Sequence, residues 1–388
     1  MIAKDTQSNL CVMQVLPALI SGGVERGTVD IAQALIKKSH QAIVVSSGGP
    51  MVAQLEQLGV LHITLPVHSK NPLTIKRNAG RLKQLIIDHK VDVIHARSRA
   101  PAWSCFWAAR ATNTPFMTTF HGAYGHQNCL KRRYNSVMLK SATTIAVSNF
   151  IAQHITEIYP SHPQHIQVIP RGIDTQLFSP SNTLNDRADI LRKKWRIPTN
   201  KTVIMLPGRL TRLKGHTILI KALSQLPDSN FICLFVGDCH GSARYQQELE
   251  TVINQYHLEK VIFLTGGCDD MAAAYHLANI VVSASTKPES FGRVTCEAQV
   301  MDCLVVATNH GGTKEVLAPS QQCFLCEPNN TDSMTQALKK ALTTDKQVLN
   351  TIYKESRKYI EANFTLDKMC QATLAIYQNA AKTSPDET

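Results

Sequence analysis

Two glutamates eight residues apart, Glu289 and Glu297, sit where chemistry is plausible for their type. A β-branched run through Val281 and Val282 ends ahead of them in Ser, Thr and Pro. Phe291-Gly292 stands between them, and from Arg293 and Val294 the pattern turns helical. A helix that follows a parallel strand presents unpaired backbone N–H groups and a positive dipole end to whatever lies before it. An anionic ligand suits that place, with Glu289 in the loop and Glu297 about two turns into the helix to meet its hydroxyl groups. A second strand-like run, Val203 to Pro207, leads into Gly208-Arg209-Leu210-Thr211-Arg212-Leu213-Lys214-Gly215. There Arg209 and Lys214 are two fixed cations near a helix N-terminus, suited to neutralise charge that grows on an anionic leaving group.

The first half carries a different set. A strand ending at His95 runs into Ala96-Arg97-Ser98-Arg99 and reaches Trp103. Planar guanidinium groups at the carboxyl end of a strand suit a phosphate or a carboxylate. The strand Pro115 to Phe120 delivers His121 to the same edge. Gly22 and Gly23 lie between the first strand and the first helix and let backbone approach a ligand. They are not G-x-G-x-x-G, and the second strand ends in Ser46-Ser47-Gly48-Gly49-Pro50 without an acid, which argues against a nicotinamide dehydrogenase. In the second half, Phe231 to Val236 ends in Gly237-Asp238, and the pair Asp269-Asp270 reads as the cap of the helix from Met271 to Ala278 rather than as a metal-binding carboxylate pair.

These residues are carried by alternating strand and helix periods along the whole chain, which implies parallel sheets in an α/β protein. With 388 residues the expectation is two domains, 1–183 and 184–364, joined at a polar stretch from Ser181 to Asp189, with a final helix over 365–382. The net charge of +12 is uneven: residues 1–183 hold 18 Lys and Arg against 8 Asp and Glu. Such a field draws acidic glycans, anionic membrane or nucleic acid. Leu73 to His89 and Asn128 to Ala142 mix basic and apolar residues at helical spacing, so a peripheral contact with anionic membrane is one expectation. A nucleic-acid partner is not expected, because aromatics are 6% of the chain and are not interleaved with the basic residues. Eleven scattered cysteines, a polar N-terminus and the lack of a long apolar run lead to a cytoplasmic expectation. Cys323 and Cys326 form a lone C-x2-C, short of the ligands a zinc site needs, and no metal is expected.

Taken together, these segments resemble the family-4 glycosyltransferases, whose signature is E-x7-E between a strand and a helix of the second domain. Glu289 and Glu297 match it, with Phe291-Gly292 where the family has its Phe-Gly, and Gly311-Gly312 to Glu315 matches the Gly-Gly-x-x-Glu loop. The resemblance implies a GT-B fold, two Rossmann-like domains with parallel sheets facing a central cleft. It implies a retaining, metal-independent transfer of a sugar from a nucleoside-diphosphate sugar, UDP- or GDP-linked, to the hydroxyl of a glycan or glycolipid acceptor. On that pattern Arg209 and Lys214 stabilise the leaving diphosphate, while Glu289 and His121 touch the sugar. Glu297, Gly22, Gly23, Gly208, Asp238, Phe291, Gly292, Arg293 and Val294 hold the donor, and Arg97, Arg99 and Trp103 are acceptor candidates. Synthesis of a cell-envelope glycan such as a lipopolysaccharide core is the expected setting. Arg171 stands where the family commonly has Asn, and Asp302 and Leu304 replace its Gly and Pro. Alternatives are an epimerase or hydrolase of the same fold, and a non-catalytic nucleic-acid binder.

Overall fold

A computed structural model describes residues 9–20, 22–125, 128–160, 165–227, 230–239 and 243–382. The chain divides into two units, one running to Arg171 and resuming at Leu366, the other spanning Gly172–Thr365. Among the described residues the first unit contains Cys11–Val15 (β1), Gln41–Ser46 (β2), Leu61–Thr64 (β3), Val93–Ala96 (β4), Phe116–Phe120 (β5), Thr143–Ala146 (β6) and Ile166–Val168 (β7). They form one parallel sheet in the order β3-β2-β1-β4-β5-β6-β7. The second unit has Thr202–Pro207 (β8), Phe231–Val236 (β9), Ile262–Gly266 (β10), Ile280–Ser283 (β11), Leu304–Thr308 (β12) and Leu325–Cys326 (β13), parallel in the order β10-β9-β8-β11-β12-β13.

Continuous apolar runs suit strands covered by helices on both faces. All six residues of β9 are buried, and along β8 the side chains alternate between two cores. Val203 and Met205 join one with Phe178, Tyr275 and Phe291, while Ile204 and Leu206 join the other with Leu219 and Phe235. In the first unit Met13 and Val15 pack on one face, and Val12 packs on the other against Cys370, Leu374 and Tyr377 of the last helix, Leu366–Lys382. The strand order reverses between β1 and β4 in one sheet and between β8 and β11 in the other. Ligands of open α/β sheets bind at such points, beyond the carboxyl ends of the strands.

Three sequence expectations change. The division expected at 183/184 falls at 171/172, because Ile173, Phe178, Leu184, Ala188, Leu191 and Trp195 all pack into one core of the second unit. The polar stretch expected to be a linker is instead a 3-10 turn, Asn182–Leu184, and the start of the helix Asn185–Lys194, whose buried stripe of one residue in three or four is diluted by charge. The single helix expected over Asn128 to Ala142 is a short helix, Cys129–Asn135, followed by a 3-10 turn, Ser136–Leu139. The turn at Asp302 keeps the left-handed backbone that a glycine would favour, with φ of 56°.

Phe178 stacks edge-on against Tyr275 at 5.9 Å in the second unit. Phe178→Ala is expected to lower stability by about 3–5 kcal/mol in urea unfolding, as for a truncated core aromatic. A change within about 0.5 kcal/mol, as for a surface site, would return that segment to the linker.

Candidate functional site

The reversal in the second sheet brings together the loop after β8 and the loop after β11. Lys214 ends a 3-10 turn, and the next residue, Gly215, has φ of 74° and touches the other loop: a Cβ there would lie 1.9 Å from the Ala284 carbonyl oxygen. Only glycine fits that approach. The contact sets Lys214 Nζ 2.6 Å from Glu289 Oε1. Ser285 Oγ donates to the same carboxylate oxygen at 2.5 Å. His310, from the loop after β12, lies with Nε2 2.9 Å from the Ser285 carbonyl oxygen, and Gly312 N donates to the Glu289 carbonyl at 2.8 Å. Burial by itself raises the Glu289 pKa, but the Lys214 ammonium and the Ser285 hydroxyl outweigh it and hold the carboxyl below its ordinary 4.5. Burial lowers the pKa of His310.

Gly292, with φ of 101°, starts the helix Arg293–Val300, so the backbone N–H groups at Arg293 and Val294 open its first turn. Glu297 lies inward on this helix. Its carboxylate accepts from Arg293 Nε at 2.6 Å and from the buried Tyr275 hydroxyl at 2.8 Å. Burial and the neighbouring Glu297 charge push the Tyr275 pKa well up, so that hydroxyl keeps its proton. Arg209 is exposed and has no ion-pair partner among the described residues; it lines a pocket of about 460 Å³ with Arg212, Asp238 and Tyr245. Asp238 Oδ1 accepts from Gly267 N at 2.7 Å and so ties the ends of β9 and β10 together. Gly208 leaves room for the Lys214 side chain, whose Cε would lie 3.1 Å from a Cβ there.

In the first unit the loops after β4 and β5 converge with Arg171, beyond β7. Arg97, His121 and Arg171 line one pocket with Thr119 and the apolar Ile31, Ile145, Val147 and Ile169. Arg97 is 4% exposed. Its guanidinium lies near the Tyr377 hydroxyl, which is 2.6 Å from His95 Nδ1, and His95 Nε2 lies 2.8 Å from Thr119 Oγ1. Burial, with the positive charges of Arg171 and Arg97 after it, drives the His121 pKa well down, so the imidazole is neutral. Gly23 opens the helix Gly23–Lys37, and its carbonyl accepts from Arg171.

Two acceptor candidates lie away from this pocket. Arg99 is the first residue of the helix Arg99–Thr112, stacks over the Tyr124 ring at 4.1 Å and donates to Asn135 Oδ1 at 3.3 Å. Trp103 donates its indole N–H to the Tyr134 carbonyl at 3.0 Å and packs on Phe106 and Trp107, a structural setting. Sequence reasoning did not single out Ser285, His95, Tyr275 or Tyr377. Ser285 belongs to the Ser-Thr-Pro loop and was within reach of that reading. The other three are indistinguishable from core residues without their distant partners.

Residues 21–177 match the family described as Glycosyltransferase Family 4, and residues 187–362 match Glycosyl transferases group 1. A glycosyltransferase of Rickettsia africae of known crystal structure is 38% identical with a TM-score of 0.90, covering 97% of this chain and 100% of that one. The chain belongs to glycosyltransferase family 4. Its fold is GT-B, which Anabaena HepE, solved with UDP-glucose, shares at 23% identity and a TM-score of 0.84 over 96% of this chain and all of that one. A putative glycosyltransferase of Bacillus subtilis, YtcC, is 24% identical over 95% of this chain and 91% of its own length.

The depressed Glu289 pKa gives this glycosyltransferase a pH signature. A carboxyl with a lowered folded pKa contributes stability above its unfolded value, and loses it as pH falls through the folded value. The stability difference between the wild type and Glu289→Gln is therefore expected to hold steady above about pH 5 and to shrink below 4.5, in urea unfolding at stepped pH. A pH-independent difference would remove the Lys214 and Ser285 contacts as its source.

Proposed function

We propose that this chain transfers a sugar, with retention and without a metal, from a UDP-sugar bound by the second unit to a hydroxyl of a glycan or glycolipid bound by the first. The observation that carries the reading is the Lys214, Glu289 and Ser285 cluster at the switch point of the second sheet, beside the mouth of the helix Arg293–Val300. Lys214 has three N–H donors and gives one to Glu289, which leaves two for diphosphate oxygens. Arg209 adds a second cation, and the helix mouth adds backbone N–H groups and its dipole. These groups stabilise the negative charge that forms as the bond from the anomeric carbon to the phosphate oxygen breaks. Glu289 steadies the sugar hydroxyls, and Glu297 the ribose. His121, being neutral, offers one donor and one acceptor to the transferred sugar. In a front-face transfer the acceptor oxygen bonds to the anomeric carbon on the side the diphosphate leaves. Its proton passes to the departing phosphate oxygen.

UDP is the favoured nucleotide because HepE, of the same fold, was solved with UDP-glucose. Leu73 and Leu130, 73% and 76% exposed, stand beside Lys76 and Arg77 and beside Lys131, Arg132 and Arg133. That composition fits peripheral contact with an anionic membrane and, with it, a cell-envelope acceptor such as a lipopolysaccharide core. Among the described residues no helix is long and apolar enough to cross a membrane.

A thermal-shift series against UDP, GDP and ADP tests the donor, since a ligand of the folded state raises the midpoint. A UDP shift lost in Lys214→Ala is expected. Turnover of UDP-sugar in Glu289→Gln and Lys214→Ala is expected to fall by about a hundredfold or more, as when a transition-state stabiliser is removed. Wild-type rates in both variants would take these residues out of the mechanism.

A further inference from the structure

The first unit collects positive charge in a buried place. A Cβ added at Gly27 would lie 3.1 Å from Arg97 Nη2 and 3.3 Å from Arg171 Nη2, so both guanidinium groups flank one point. At Gly23 an added Cβ would lie 2.0 Å from Arg171 Nη1, which means that the bare backbone at the start of the helix is what admits this guanidinium. The helix Gly23–Lys37 adds the positive end of its dipole at the same spot. Asp30 is the carboxylate near Arg97, and it is also paired with Arg26 at 3.0 Å. Arg97 Nε and both ring nitrogens of His121 are buried without a hydrogen-bond partner. The buried Arg97 beside the half-buried Arg171 and a dipole end, with Arg97 Nε unsatisfied, is a costly arrangement that a bound oxyanion relieves.

We infer that Arg97 and Arg171 form a receptor for an acidic group, phosphate or carboxylate, carried by the acceptor. The inference rests on the transferase reading above and names the acceptor class. Planar guanidinium forks match either oxyanion. Arg171 is where this chain departs from the Asn common in the resembling family, so Arg171→Asn removes the receptor while installing a residue that fold accepts.

The test is calorimetric titration of the full-length protein with inorganic phosphate, with glucuronate and, separately, with UDP. Phosphate or glucuronate is expected to bind the wild type, to weaken at least about tenfold in Arg171→Asn and in Arg97→Gln, and to be unchanged in Lys214→Ala, the size of effect expected for a charge-assisted pair. UDP affinity is expected to fall in Lys214→Ala and to stay the same in Arg171→Asn. Absence of binding by both acidic probes, or binding indifferent to Arg171→Asn, overturns the receptor while UDP binding leaves the transferase reading standing. A parallel loss of UDP affinity in Arg171→Asn also overturns it, by making the anion the donor's own diphosphate. Acidic-probe binding that depends on Arg171, without UDP binding, upholds the receptor and sinks the donor assignment. Should Arg97→Gln fail to fold, Arg171→Asn decides alone.

Discussion

The ion pair between Lys214 and Glu289 depends on β8 lying beside β11, and the proposed donor site depends on that pair. The two residues are 75 positions apart, and nothing local brings them together. Strand order does so, and Gly215 then lets the two loops touch closely enough for a 2.6 Å contact. Ser285 and His310 extend the cluster from the loops after β11 and β12. The charges are held in place before a ligand arrives, so little reorganisation is left for the reaction itself, which is the condition for strong electrostatic stabilisation.

The first unit uses the same sheet geometry with a larger excess of positive charge. Its loops after β4 and β5 deliver Arg97 and His121, and Arg171 follows β7. The helix Leu366–Lys382, the last in the described chain, packs on this unit and supplies Tyr377, whose hydroxyl meets His95 near Arg97. Burial depresses the pKa of both histidines, His95 and His121, and the nearby arginine charges depress them further. A neutral imidazole beside buried cations can still donate and accept, which an imidazolium cannot.

Some of this was legible from residue order. The strands Gln41–Ser46 and Phe231–Val236 follow their apolar runs to the residue, because a strand buried on both faces needs an unbroken run. Of the pair Asp269-Asp270 read as a cap, Asp270 is the one that caps the helix, accepting from Ala273 N at 3.1 Å. The linker was misread because the helix Asn185–Lys194 buries only a sparse stripe among charges. The setting of Trp103 was not legible, because its place after an arginine-rich turn says nothing about the Tyr134 carbonyl that holds its indole.

The sequence by itself determined the alternation of strands and helices, the family signature around Glu289 and Glu297, and the excess of positive charge in the first half. Each is carried by periodicity, spacing or count, which are properties of the chain order. The tertiary structure decided which charges are paired and which are buried without a partner. Glu289 meets Lys214 and Ser285, Glu297 turns inward to Arg293 and Tyr275, and Arg97 lies beside Arg171 with an unsatisfied Nε. Coulomb energies and desolvation depend on distance and exposure in space, and strand order sets both across separations that no local pattern encodes.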